Sequence, residues 1–288
     1  MYKKLLTLVL LSFLCLFFTF SSVFATTGAY AGVGTYNFCG FGNRAGDVYV
    51  ENLASKLYEN NGKPNRVAAY TCIKNADVFP SRIAEIADED LFVFSGHGVR
   101  YDYSPLLNNM ATLHTYASST SDTWHTGSDA NQFGGTYNFS WNEWPSVSAR
   151  WGVFYSCNWL ANGGSTTIDQ IMFSNLFKGT LHLAVGFGSR MYLDSREANL
   201  FGDNLRNNFT IKNSWFDAAS RYQPQLDPSS STYNNSVVAR VCGYTSAGND
   251  TFSTYYTSNG SSVVPSYNNA PGSYTTWNRI IPCTGNII

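Results

Sequence analysis

Leu91-Phe92-Val93-Phe94-Ser95-Gly96-His97-Gly98 is the stretch that decides how this chain reads. Four apolar residues in a row are too few to cross a bilayer and too evenly apolar for a strand with one wet face. They predict a strand buried on both faces, as found in parallel sheets. The run stops at Ser95-Gly96, and His97 follows between two glycines. In open α/β sheets, ligands and chemistry gather at the C-terminal ends of the strands. Glycine at that edge permits tight turning and close backbone approach. Trp151-Gly152-Val153-Phe154-Tyr155-Ser156-Cys157 has the same build: a short apolar run, a small residue, then a reactive side chain. Side by side in one sheet, the two strands would set His97 opposite Cys157.

The flanking sequence supplies the rest of an α/β fold. Asp47 to Tyr58 carries Val48, Leu53, Ala54 and Leu57 at helical spacing, with Asp47 as a candidate cap. Asn60 to Pro64 reads as a turn, and Val67 to Thr71 as a strand. Phe79 to Ala87 predicts a helix with Pro80 in its first turn. Strand, helix and strand in that order form the unit from which parallel sheets are built. Beyond Cys157, a helix is expected over Ile168 to Phe177, stopped by Gly179, and a buried strand over Leu181 to Val185. Two more helices, Ser195 to Leu205 and Ile211 to Arg221, precede a strand over Val237 to Val241. Residues 28–45 are Gly- and aromatic-rich and read as an irregular arm. Residues 99–149 read as a β-rich insertion over the strand ends. Residues 246–288 read as a Tyr/Ser/Asn-rich C-terminal arm, made of β-hairpins or packed over the domain.

Met1 to Ala25 has the pattern of a secretory signal peptide. Lys3 and Lys4 precede an apolar run from Leu5 to Phe20, and Val23-Phe24-Ala25 offers a cleavage site. The expectation is therefore a secreted protein with no stable membrane span after cleavage, and one α/β domain over residues 26–245. Removing Lys3 and Lys4 takes the formal charge from −1 to −3. With no basic cluster, nothing favours a nucleic-acid partner. Five cysteines follow Ala25: Cys39, Cys72, Cys157, Cys242 and Cys283. An odd number outside the cell leaves at least one thiol unpaired or pairs it between chains. Cys39 with Cys72 and Cys242 with Cys283 are candidate disulfides, and that choice leaves Cys157 as a thiol. A packed, inert core thiol is the competing reading for Cys157.

A thiolate attacks carbonyl carbon well, and a nearby imidazole lowers the thiol pKa and shuttles the proton. The resulting oxyanion needs backbone donors, for which the amides of Gly98 and Cys157 are the candidates. Neither a cofactor nor a metal is expected. His97, His114 and His125 are spaced by 17 and 11 residues, which fits no metal signature. His182, inside an apolar run, reads as a packed core residue. Asp102, Asp129 and Asp194 are candidates for a pocket that receives a basic side chain, but nothing in the sequence selects one of them, and solvated loop carboxylates are the simpler reading.

Strand-Ser95-Gly96-His97-Gly98 followed by strand-Ser156-Cys157 resembles the His-Gly and small-Cys signatures of the caspase, gingipain and legumain superfamily (clan CD) of cysteine peptidases. These segments, with Leu181 to Gly188 and Ile211 to Trp215, resemble more closely an uncharacterised family of exported caspase-like domains, over roughly residues 45–243. The resemblance implies a caspase-like three-layer α/β sandwich with a mostly parallel central sheet. It implies a dyad of His97 and Cys157, with Gly98 at the oxyanion site. Asn158-Trp159-Leu160 replaces the Arg-Gly that follows the cysteine in caspases, so aspartate specificity does not carry over. The expected function is a secreted cysteine endopeptidase acting on peptide or protein. The alternative is a non-catalytic module of that fold holding peptide or glycan.

Overall fold

The computed structural model describes residues 26–34, 46–59, 67–78, 80–100, 111–116, 136–140, 149–161, 173, 176–177, 181–230, 235–252 and 274–285. The expected signal peptide, most of the 28–45 arm and Cys39 lie outside them. Among the described residues, no helix is long and apolar enough to cross a membrane.

The chain is α/β. Its strands in order are β1 (Thr26–Gly32), β2 (Val67–Lys74), β3 (Leu91–Ser95), β4 (Gly98–Arg100), β5 (Ala111–Tyr116), β6 (Thr136–Ser140), β7 (Trp151–Tyr155), β8 (Leu183–Phe187), β9 (Ser236–Tyr244) and β10 (Tyr274–Pro282). The described helices are α1 (Gly46–Tyr58), α2 (Pro80–Ile86), α3 (Arg196–Arg206) and α4 (Ile211–Tyr222). Of the helix expected before Gly179, Phe173 and Leu176 are helical, and most of the rest lies outside the described residues.

A seven-stranded sheet runs β10-β9-β8-β7-β3-β1-β2. The pairs from β2 to β8 are parallel, while β8–β9 and β9–β10 are antiparallel. Every residue of β3, β7 and β8 is buried, so these strands are covered on both faces as their apolar runs required. The insertion between β3 and β7 forms a separate antiparallel sheet, β4-β5-β6.

Two sequence expectations need correction. Residues 26–32 are a strand, not part of an irregular arm. β1 sits between β2 and β3, although Thr-Thr-Gly-Ala-Tyr-Ala-Gly has weak strand propensity. The reason is space. A Cβ on Gly32 would lie 2.4 Å from Val50 and 2.8 Å from the Asp47 backbone, so small residues let α1 settle onto β1. The C-terminal segment, in turn, supplies a strand of the main sheet: β10 pairs with β9 over nine residues, from Tyr274 opposite Tyr244 to Pro282 opposite Ser236.

Helix α1 buries Tyr49, Val50, Leu53, Ala54 and Leu57, a helical stripe. Val48, expected in that stripe, is 40% exposed, and Tyr49 and Val50 take its place. Helix α3 packs between α1 and α4. Arg206 of α3, fully buried, donates to the carbonyls of Lys56 (3.1 Å) and Glu59 (2.7 Å) and so closes the C-terminal end of α1.

Candidate functional site

The site is assembled from the C-terminal ends of β3, β7 and β8. The ladder between β3 and β7 runs from Leu91 opposite Trp151 to Ser95 opposite Tyr155, each pair 60 residues apart. It closes with the Gly96 amide donating to the Tyr155 carbonyl at 3.2 Å. His97 and Cys157 each come two residues after the last pair of this ladder, so both follow the same C-terminal edge of the sheet. Both are half-buried, and His97 Nε2 is shut away from solvent.

Cys157 sits on a tight turn. Asn158 adopts a left-handed φ of 58°, which asparagine tolerates better than most residues. Its amide donates to the Ser189 carbonyl at 2.9 Å, and the Leu160 amide donates to Phe187 at 3.1 Å. The buried Arg240 guanidinium donates to the Leu160 carbonyl. The turn is thereby fastened to β8 and to the segment that follows it. Gly98 lies against the turn from the other side: a Cβ there would be 2.1 Å from the Cys157 carbonyl oxygen and 3.1 Å from Ser156 Oγ. Only a residue without a side chain fits.

The segment after β8 forms one wall of the thiol. Cys157 Sγ lies 4.0 Å from the Met191 carbonyl oxygen, the outer reach of a thiol hydrogen bond. Ser189 Oγ accepts from the Val238 amide at 2.9 Å, which ties this wall to β9.

Beneath the wall lies a buried polar cluster centred on Tyr155, two residues before Cys157. Its hydroxyl oxygen accepts from the Asp194 amide at 3.1 Å and lies 2.9 Å from Glu197 Oε2. Gln223 donates to the same Oε2 at 2.7 Å. Its amide also holds the Tyr192 backbone on both sides: Tyr192 N–H donates to Gln223 Oε1 (2.7 Å), and Gln223 Nε2 donates to the Tyr192 carbonyl (2.9 Å). Glu197 and Gln223 are fully buried, and among the described residues no donor reaches Glu197 Oε1. Burial pushes the Glu197 carboxyl up to about 8, against the opposing pull of the Gln223 and Tyr155 hydrogen bonds. Burial likewise raises the Tyr155 and Tyr49 phenols, whose rings stack at 3.7 Å, with Glu197 adding to both.

The other expected residues distribute as follows. Asp194 is no solvated loop carboxylate. It is buried, its Oδ1 accepts from the Arg196 amide at 2.9 Å to cap α3, and the Arg196 guanidinium grips both its oxygens. Burial alone would raise its carboxyl, but the hydrogen bonds from Arg196 and Gln225 outweigh burial and hold it below the usual range. His182 is a core residue, as expected, and has a polar neighbour: Nδ1 lies 3.2 Å from Asp250 Oδ2, which also accepts from Trp151 Nε1 at 3.0 Å. Asp102, Asp129 and His125 lie outside the described residues. His114 falls on β5, opposite Asn138.

The expected Cys242–Cys283 bridge is corrected by the β9–β10 register. Cys242 stands opposite Thr276, whereas Cys283 follows Pro282, opposite Ser236 at the far end of the ladder. At about 3.3 Å per residue, the two are roughly 20 Å apart, far beyond the ~7 Å Cα limit for a disulfide. Cys72 is a half-buried thiol on β2, raised by burial, and its expected partner Cys39 lies outside the described residues.

The polar cluster under the wall was not legible in the sequence. Glu197 in a first helical turn reads as an ordinary solvated, dipole-stabilised carboxylate. Gln223, beside Pro224, reads as a helix end. Only the fold turns both inward beneath Tyr155.

No curated protein matches the chain. A family described as a domain of unknown function, DUF6345, matches residues 85–279, which run from α2 to β10 and include both His97 and Cys157. That match spans more than half of the sequence, and the chain therefore belongs to the DUF6345 family.

Proposed function

We propose that this protein is an exported cysteine hydrolase of caspase-like architecture that cleaves peptide bonds with Cys157 and His97. The observation that supports the reading is the shared register of β3 and β7, whose last pair, Ser95 opposite Tyr155, lies two residues before His97 and Cys157, so that both follow the C-terminal edge of neighbouring parallel strands. In the reaction, His97 takes the thiol proton and the sulfur attacks the substrate carbonyl carbon. The oxyanion is met by the amides of Gly98 and Cys157. Collapse breaks the C–N bond, with His97 returning the proton to the leaving amine and a thioester left on Cys157. Water, deprotonated by His97, then hydrolyses the thioester and restores the thiol.

The reading is tested by alkylating the native, non-reduced protein with iodoacetamide and mapping the labelled peptides, wild type against His97→Ala. Rapid labelling of Cys157 at about pH 6–7, below the ordinary thiol pKa, that collapses in His97→Ala supports the dyad. Slow labelling indifferent to His97 overturns it and favours a binding module.

A further inference from the structure

The wall beside Cys157 and the buried cluster beneath it are one mechanical unit. Met191, whose carbonyl faces the sulfur, is next to Tyr192, whose backbone is held on both sides by the Gln223 amide. Gln223 is held in turn by Glu197, and Glu197 by Tyr155 from the strand that carries the cysteine. We propose that Glu197 is a positioning residue for segment 189–195, acting through Gln223 and Tyr155, and that the proton on the Glu197 carboxyl favours closure of this segment against Cys157.

The physical argument is the cost of a bare charge at this place. An ionised Glu197 would keep two hydrogen bonds to Oε2, but among the described residues no donor reaches Oε1. Among the described residues, the titratable groups that face it offer no positive charge. Tyr155 comes from β7, Tyr49 from α1, and Asp194, an anion, from the segment itself. The Arg196 guanidinium is engaged with Asp194 and Gln225. Opening the segment lets water reach the carboxyl, so opening and ionisation are linked. With the closed-state pKa at about 8 and an ordinary solvated carboxyl near 4.3, the opening equilibrium rises about tenfold per pH unit between those limits. It levels off above the upper one.

The effect on catalysis rests on the reading of Cys157 as nucleophile, whereas the closure does not. The test is hydrogen exchange of peptides covering 189–195 at pH 5.5 and 7.5, divided by the intrinsic exchange rate at each pH. Wild type should show opening increased about 100-fold across two units, and Glu197→Gln should show none. Gln223→Ala, which releases Tyr192 but keeps the carboxyl, should raise exchange of the segment at both pH values while β7 stays protected. A wild-type ratio near one, the same slope in Glu197→Gln, or the same slope in β7 amides would overturn the proposal. Cys157 alkylation, corrected for thiolate fraction, should follow the opening in wild type and stay flat in Glu197→Gln. If His97→Ala leaves that alkylation unchanged, the nucleophile reading fails while the exchange result stands.

Discussion

Gly98 and the backbone of Cys157 are in contact so close that a methyl group on Gly98 would lie 2.1 Å from the Cys157 carbonyl oxygen. The contact is between main chains, so no flexible side chain can yield. Among the described glycines only Gly285 has a left-handed φ, so the restriction at Gly98 is steric. Gly98→Ala should therefore lower stability by about 1–3 kcal/mol, the usual cost of overpacking. It should also change the alkylation rate of Cys157, because the turn must move. Urea midpoints and labelling kinetics on one preparation check both effects.

Glu197 makes a signed prediction for stability against pH. Its folded pKa of about 8 lies above the unfolded value, so the folded state holds a proton that the unfolded chain has released. Its contribution is intact below the unfolded pKa. Stability then falls by about 1.4 kcal/mol per pH unit up to the folded pKa, and no further above it. Glu197→Gln should remove that slope, leaving the variant close to wild type at acid pH and clearly more stable at pH 8. Denaturant titrations at three pH values read this out, and parallel curves for the two proteins would contradict it.

Asp194 acts with the opposite sign. Its carboxyl is held below the ordinary range, so its contribution is present above the unfolded pKa and is lost as pH falls. Asp194→Asn keeps an oxygen that can accept from the Arg196 amide but removes the charge that pairs with the half-exposed Arg196 guanidinium, and should cost up to about 1 kcal/mol near neutrality. The gap should narrow on acidification, as thermal melts at pH 7 and pH 3 would show.

Arg206 donates from full burial to two carbonyls at the end of α1 and to Glu59 Oε2 at 3.1 Å. Arg206→Met strips those carbonyls of their donor and should destabilise by roughly 3 kcal/mol. Arg206→Lys should recover only part of that, because one ammonium cannot reproduce the fork. Urea denaturation distinguishes the three proteins.

Peptide mapping under non-reducing conditions should find no Cys242–Cys283 bridge. The register holds the two at opposite ends of the β9–β10 ladder. Finding that bridge would mean that the sheet edge is paired differently.

What the sequence disclosed and what it hid divide along physical lines. The runs ending at His97 and Cys157 were legible because burial on both faces writes itself as unbroken apolarity. Helices α3 and α4 match their expected spans to within a residue at either end. β1 was hidden because its residues were chosen for smallness beneath α1, and smallness reads as a loop. The Cys242–Cys283 expectation failed because proximity along the chain was taken for proximity in space. Glu197 and Gln223 were hidden because no local rule distinguishes an exposed first-turn glutamate from one turned into the core.

The register that pairs β3 with β7 also has a kinetic side. β3 and β7 are sequence-distant, and a whole second sheet, β4-β5-β6, is made by the chain between them. Closing so long an excursion is slow compared with helix formation or a hairpin such as β5–β6. A growing or partly folded chain thus carries its imidazole and its thiol as strangers. The two strand ends that precede them come to one sheet edge only once the β3–β7 ladder has formed.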